Sequence, residues 1–428
     1  MEKKFNQKHT ELPTGWEMKE LIEIANYVDY RGKTPDKKNY GKFLVTAKNI
    51  RKGLIDYQIS QEYISEDDYN TVMSRGLPIK GDILITTEAP LGSVAMIDRE
   101  DIALAQRVIK YRTKQDISNN YYLFHYLQSD KFQQILDLKS TGSTAKGIKG
   151  STLHKLPILL PPLPEQCAIA NILSTWDTAI QTTHTLIYQK EQEKKWLMQN
   201  LLTGKKRLKG FSLEWKELKL SDLFDRVSRK NNEGNTTVVT ISAQRGFVRQ
   251  TDFFNKNIAS EITDNYFLVE KGEFCYNKSY SNGYPWGATK RLKDFDKAVV
   301  TTLYICFGVK DKKETNSEFF EQYFNANKLD SGLTKIAHEG GRAHGLLNVT
   351  PSDFFSLKVT IPGFEEQTAI AQVLQTADLE INLLKTKLEQ QKLQKKGLMQ
   401  VLLTGKVRVI KVDSPNSFEE NNNQTIRQ

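Results

Sequence analysis

The sequence predicts an α+β protein: two globular α/β domains separated by two long helices that pair as an antiparallel coiled coil. Three observations predict it. The chain has 428 residues, more than one hydrophobic core ordinarily serves. It writes LMQNLLTGK at 197–205 and LMQVLLTGK at 398–406, 201 positions later, a period too long for a solenoid unit and suited to a duplicated domain. Each copy closes a stretch whose apolar residues recur at alternating steps of four and three, the pattern of a coiled-coil seam.

Residues 1–160 form the first expected domain. It opens on a tryptophan and a helix start, GWEMKELIEIANYV (15–28), and carries strand-like FLVTAKNI (43–50). A Lys-Gly-acid turn then leads into a strand, IKGDILIT (79–86), and the domain closes on a Gly-rich basic loop, TGSTAKGIKGS (141–151). Residues 161–207 hold the first helix. Pro162 and Pro164 set its start, and Gly204 followed by Lys205 supplies a left-handed cap beside a favourable positive charge. Its ladder is Ile169, Leu173, Trp176, Ile180, Thr183 and Ile187, a polar step at Lys190 and Lys194, then Leu197 and Leu201.

Residues 208–361 repeat the plan as EWKELKLSDLFDRV (214–227), TVVTISAQ (237–244), VEKGEFCYN (269–277) and HEGGRAHGLLN (338–348). Residues 362–410 hold the second helix, from Pro362 to Gly405, with Ile370, Leu374, Ala377, Ile381, Leu384 and Leu388, a polar step at Gln391 and Lys395, then Leu398 and Leu402. PEQCAIANILSTWDTAI (164–180) aligns without a gap on EEQTAIAQVLQTADLEI (365–381). A rod of this length is marginal alone, so the two copies are expected to pack on each other; the plainer alternative is that each lies on its own domain's core. The repeated polar step either fixes register or marks a place where the helices splay. The tail, 411–428, is polar and expected to be disordered.

Composition narrows the chemistry. The three cysteines, Cys167, Cys275 and Cys306, are far apart and form no CxxC pair, so neither a disulfide framework nor a zinc ribbon is expected. The start lacks the apolar run of a signal peptide and no stretch is long enough to span a bilayer, which predicts a cytoplasmic protein without a membrane partner. Net charge is +10, which permits nucleic-acid binding without demonstrating it. The tempting RGKTP (31–35) has Tyr27 where a phosphate-binding loop needs its first glycine and Pro35 where the helix should follow. HEGGRAHG (338–345) lacks the spacing of a zinc helix. There is no GxSxG, no GxGxxG after a strand, and no Asn-Pro-Pro-aromatic tetrapeptide to hold a target amine.

What remains suits phosphate and base contact. Lys48, Asn49, Arg51 and Lys52 combine charge with an amide able to bond adenine. Lys146 and Lys149 sit among glycines that let backbone approach a phosphate. The second domain offers Gln244, Arg245 and Arg249, then Lys278, Ser279 and Tyr280, then Arg342 and His344. Any one of these also reads as solvated surface; the clusters carry the argument. Helices kept alike should do one shared job, and domains with unlike loops on a common scaffold should bind different ligands of one kind.

With ELPTGWEMKELIEI, GDILITTEAPLGSVAMI, LAQRVIKYR, GSTAKGIKGSTLHKLPILLPPLPEQCAIA and the two LLTGK ends in view, the chain resembles the specificity (S) subunits of type I restriction-modification systems over nearly its whole length. The second domain departs, with IPGFEEQ for PPLPEQ and no TEAPLG. The resemblance implies a non-catalytic reader of double-stranded DNA, each globular part a target recognition domain for half of a split, asymmetric site. The helices would set the gap and dock two methyltransferase subunits, with restriction subunits joining through the complex. S-adenosylmethionine, ATP and magnesium are expected in those partners and not in this chain. Thr87 to Gly92 and the loop near Lys146 would lie at the DNA. The competing reading is a coiled-coil scaffold with two protein-binding domains, which would show no steep salt dependence of DNA binding.

Overall fold

The computed structural model describes residues 12–30, 35–51, 53–142, 145–253, 263–339 and 347–409. The chain divides into two units, Met1–His184 with Lys387–Gln428, and Thr185–Thr386. Each contains one globular domain and a portion of both long helices. Residues 31–34 of RGKTP, Lys52, Arg342, His344 and the tail 411–428 lie outside the described residues.

In the first unit the central sheet is built from β1 (Ala25–Asp29), β2 (Ile83–Thr86), β3 (Val94–Met96) and β4 (Val108–Thr113), in the order β1-β4-β2-β3. Every neighbouring pair is antiparallel. All four residues of β2 are buried, which is why this run is continuously apolar up to Thr86 and does not alternate. The strand that enters the domain, Glu17–Glu20, pairs antiparallel with the strand that leaves it, Pro157–Leu160. Helix α1 (Asn120–Gln128) follows the sheet, and helix α2 (Leu163–Leu201) begins just after the exit strand.

The second unit repeats this plan. Strands β5 (Phe224–Val227), β6 (Phe274–Asn277), β7 (Ala288–Arg291) and β8 (Ile305–Val309) take the order β5-β8-β6-β7, again antiparallel throughout. Entry strand Lys216–Lys219 pairs with exit strand Lys358–Ile361. Helix α3 (Ser317–Asn325) stands where α1 does, and α4 (Phe364–Leu402) repeats α2. The peripheral strands differ: a three-stranded sheet with Lys42–Val45 at its centre in the first unit; in the second, a hairpin of Val239–Ser242 with Gly246–Arg249 and a non-consecutive pair, Phe267–Glu270 with Lys297–Val300, linked by a bridge between Val238 and Val299.

One junction, written twice, joins helix to domain. Asn119 caps α1 by accepting from Tyr122 N at 3.0 Å, and its own N–H donates to Gln166 Oε1 at 2.9 Å. Gln166 Nε2 donates to Ile117 O and Pro161 O. Asn316 caps α3 the same way and donates to Gln367 Oε1 at 2.9 Å, while Gln367 Nε2 reaches Glu314 O and Pro362 O. The shared Glu-Gln of PEQ and EEQ is therefore a staple: a buried amide answers backbone groups that would otherwise lack partners.

Its glutamate closes a second contact. Glu165 accepts from Trp16 Nε1 at 3.0 Å and bidentately from Arg408 at 2.7 Å. Glu366 accepts from Arg207 bidentately at 2.6 Å and from Trp215 Nε1 at 3.3 Å. Burial alone would raise the Glu165 carboxyl, but Arg408 and Trp16 outweigh it and hold it below its ordinary value. Each LLTGK end thus packs in the domain its helix reaches: Leu402 and Leu403 join the first unit's core, Leu201 and Leu202 the second's. Gly405 takes φ +71 with Pro13 so close that a β-carbon would lie 2.4 Å from it, so the left-handed cap admits only glycine.

The apolar ladder is shared between two jobs. Ile169 and Leu173 belong to the first unit's core, Ile370 and Leu374 to the second's, so the helix ends do lie on domain cores. Between those ends Thr183 and Leu388 are buried in the first unit, Ile187 and Ile381 in the second. Trp176, Ile180, Leu197, Leu384 and Leu398 are half-buried. The polar step fixes register. Lys395 Nζ meets Asp177 at 2.5 Å in the first unit, and Lys194 meets Asp378 at 2.6 Å in the second. Lys190 with Glu380 and Glu191 with Lys385 extend the second set, and their order shows that the helices run antiparallel. Among the described residues no helix is long and apolar enough to cross a membrane.

Candidate nucleic-acid interface

The first unit brings three candidate segments onto the β2–β3 side of its sheet. The turn that carries Lys48 and Arg51 continues into a hairpin, Ile50–Arg51 with Leu54–Ile55, which docks through Gly53 N donating to Val94 O at 3.0 Å. TEAPLG follows β2 directly. Ile148 N donates to Thr87 O at 2.9 Å, and Glu88 and Thr141 both bridge to Gly147, so the loop at 87–92 and the Gly-rich loop are stitched together. Arg107 Nε meets Glu88 at 2.5 Å across the same seam. Lys48, Arg51, Lys146 and Lys149 are exposed. Lys146 rests on Asp137 at 2.5 Å, an exposed pair that holds it weakly. An open groove of about 490 Å³ lies between Pro90, Gln133, Leu136, Asp137 and Lys146.

Against the sequence expectation, Asn49 and Thr87 are turned into the fold. Asn49 cannot read adenine, because it is fully buried and its amide is spent inside the fold. Thr46 N and Oγ1 donate to its Oδ1 at 2.8 and 2.7 Å, and its Nδ2 donates to Asp56 O and Ile59 O. Thr87 is buried too, its hydroxyl donating to Arg107 O at 3.3 Å. It positions the loop and is not available for a direct contact.

In the second unit Gln244 and Arg245 occupy the turn between Val239–Ser242 and Gly246–Arg249, exposed. Gln244 Nε2 donates to Asn282 O at 3.1 Å, tying this turn to the loop after β6 that carries Lys278, Ser279 and Tyr280. Tyr280 projects into solvent, whereas Lys278 and Ser279 are half-buried. Lys278 O accepts from Leu347 N, and Ser279 N donates to Asn277 Oδ1. Arg249 is exposed with its guanidinium 5.4 Å from the Phe295 ring, an arrangement that leaves its donors open to an anion.

The sequence of the family described as Type I restriction modification DNA specificity domain matches this chain twice, over residues 13–192 and 212–393. The chain belongs to that family. Each match takes in one globular domain and most of the helix after it, the duplication seen in the two sheets. This specificity-domain protein is 29% identical over 430 residues to the putative type I restriction enzyme MjaX specificity subunit of Methanocaldococcus jannaschii, covering 93% of this chain and 95% of that protein. It is 22% identical over 449 residues to the type I restriction enzyme MjaVIII specificity subunit of the same organism, covering 95% and 97%. Its fold is similar to the crystal structure of a type I restriction-modification system S subunit from M. genitalium, with TM-score 0.56, 14% identity, and 92% and 97% of the two chains covered. It is also similar to a chain solved in work on complex assembly and conformational transition of the type I R-M system, with TM-score 0.54, 16% identity, and 93% and 100% covered.

Sequence reasoning missed the residues that tie the helices to each other and to the domains. Arg207 and Arg408 lie two positions past each LLTGK, and Asp177 and Asp378 sit at matched places in the helices. The same 201-residue offset that revealed the repeat relates both pairs. Among the described residues no group of three or more His, Cys, Asp or Glu converges as a metal site. Cys275 and Cys306 are buried opposite each other on β6 and β8.

Proposed function

We propose that this chain is the DNA sequence-specificity subunit of a type I restriction-modification complex, each globular domain reading one half of a bipartite, asymmetric site. The observation that carries this reading is that the specificity domain occurs twice in one chain with its staples and helices alike and its loops unlike. Lys48, Arg51, Lys146 and Lys149 are the first domain's contacts; Gln244, Arg245, Arg249, Lys278 and Tyr280 are the second's. Phosphate contacts set register, and base-edge contacts carry the sequence information. Two weak readers on one scaffold make the second contact effectively intramolecular, and each mismatch costs about 1–3 kcal/mol.

The chain itself performs no chemistry in this reading. The helices set the unspecified gap and dock two methyltransferase subunits. Those partners bring S-adenosylmethionine and flip the target base, and restriction subunits bring ATP and magnesium. The test is to sequence methylated bases in the host with and without this gene. Loss of one split motif on deletion is expected; an unchanged methylation pattern would remove the basis for the reading.

A further inference from the structure

The second unit holds an open cleft of about 680 Å³ between the Gln244–Phe247 turn, the end of β7, α3 and both long helices. Its walls carry five cations, Lys194, Arg245, Lys290, Arg291 and Lys293, against three carboxylates, Asp294, Glu321 and Asp378. Two of the carboxylates are already committed. Glu321 takes Arg291 at 3.0 Å and Lys293 at 2.5 Å; Asp378 takes Lys194 at 2.6 Å and Gln322 Nε2 at 3.0 Å. Asp294 is exposed.

Lys290 differs from its neighbours. Its ammonium donates to Asn325 Oδ1 at 2.7 Å and Tyr284 OH at 3.1 Å, both neutral, and stands 4.6 Å from the Tyr284 ring centroid. Among the described residues no carboxylate lies within ion-pair distance of it. Three donors with two neutral acceptors leave one N–H for the cleft. Burial pushes the ammonium down to about 8, opposed by Glu321 and reinforced by Lys293 and Lys194. A half-buried cation in that position is stabilised by an incoming anion. In the first unit the equivalent place is apolar: Cys275 faces Lys290 as Leu84 faces Ala95, and Ala95 is fully buried.

We propose that Lys290 is a phosphate-binding residue of the second recognition domain, holding a DNA backbone phosphate at this cleft beside the Gln244–Arg245 turn. The proposal rests on the DNA-reading function above and adds a contact peculiar to one domain. A phosphodiester fits better than a base edge, because the open donor is a lone ammonium without a paired acceptor.

The test is DNA binding by the assembled methyltransferase complex across a series of KCl concentrations, using a duplex with the methylated motif and one without. Lys290→Met should weaken both to a similar degree and reduce the slope of log affinity against log salt by about 0.9, one phosphate contact. Lys290→Arg should keep the slope. If the Met variant fails to fold, Lys290→Gln, which keeps a polar donor without the charge, carries the same prediction. An unchanged slope in a folded neutral variant overturns the proposal. So does a lowered yield of assembled complex in which the complex that does form keeps the wild-type slope, which would point to an acidic protein segment. Competition by inorganic phosphate at fixed ionic strength that vanishes in Lys290→Met while the DNA slope stays would assign the cleft to a free anion and equally overturn it. A wild-type complex with no salt-dependent DNA binding would instead bring down the underlying function.

Discussion

At the scale of the residue, matched positions do the same job with different chemistry. His125 on α1 and Gln322 on α3 are both buried against the helix pair. Gln322 Nε2 donates to Asp378, and His125 Nδ1 lies 3.8 Å from Asp177 with Nε2 3.3 Å from Ser174 Oγ. Asp177 would favour a charged ring, but its carboxylate is already held by Lys395. Burial, with Lys395 adding to it, pushes the imidazole down to about 3. The folded chain therefore refuses a proton that the unfolded chain accepts below its ordinary value near 6.5. Stability from this group is complete above about pH 6.5 and lost as pH falls toward 3, with about 1.4 kcal/mol gone one unit below 6.5. His125→Gln, which copies the second unit, should melt like the parent at pH 7.5 and be less sensitive to acid between pH 6.5 and 5. Identical acid sensitivity in urea unfolding would mean that the ring is not buried neutral. Such a residue is illegible in sequence: HYLQ reads as an ordinary helix, and only packing against α2 withdraws the ring from water. Asn49 failed for the same reason, since TAKNIRKG has the composition of a surface and the Thr46–Ile59 turn that engulfs the amide is a matter of three dimensions.

At the scale of the element, the helices were legible in extent and the polar step was not. Prolines, a glycine cap and a ladder of threes and fours predicted helices that the fold places at Leu163–Leu201 and Phe364–Leu402. Whether Lys194 and Lys395 marked a splay or a register lock depended on acidic partners that stand on the other helix. Those partners, Asp378 and Asp177, are 184 and 218 positions away. Each lock lies inside its own unit, so lengthening the helices between the units should leave both locks in place. Seven residues inserted between His184 and Thr185, and seven between Thr386 and Lys387, preserve both locks and keep seam phase. They add about 10 Å at about 1.5 Å per residue. The methylated motif should keep its letters and gain about three unspecified base pairs, at about 3.4 Å each. Changed letters with the old gap, read from the methylome, would mean that the helices do not set the spacing.

At the scale of the whole molecule, duplication was the most readable property and loop identity the least. Two sheets with one strand order, two Gln staples and two Trp–Glu–Arg closures follow from one repeated instruction. The scaffold is fixed by buried partners that come as matched pairs, so its signal appears twice in the sequence. Contacts to a duplex answer to the duplex, appear once, and leave no internal echo; the basic cleft around Lys290 has Ala95 in its mirror position. The central claim is that two unlike domains on one matched scaffold read two independent half-sites. The most direct measurement replaces residues 212–361 with the corresponding domain of a relative that has a different motif, then sequences the methylated bases. The account predicts that one half of the motif changes while the other half and the gap stay. A motif altered in both halves, or in neither by a folded and assembled chimera, would contradict it.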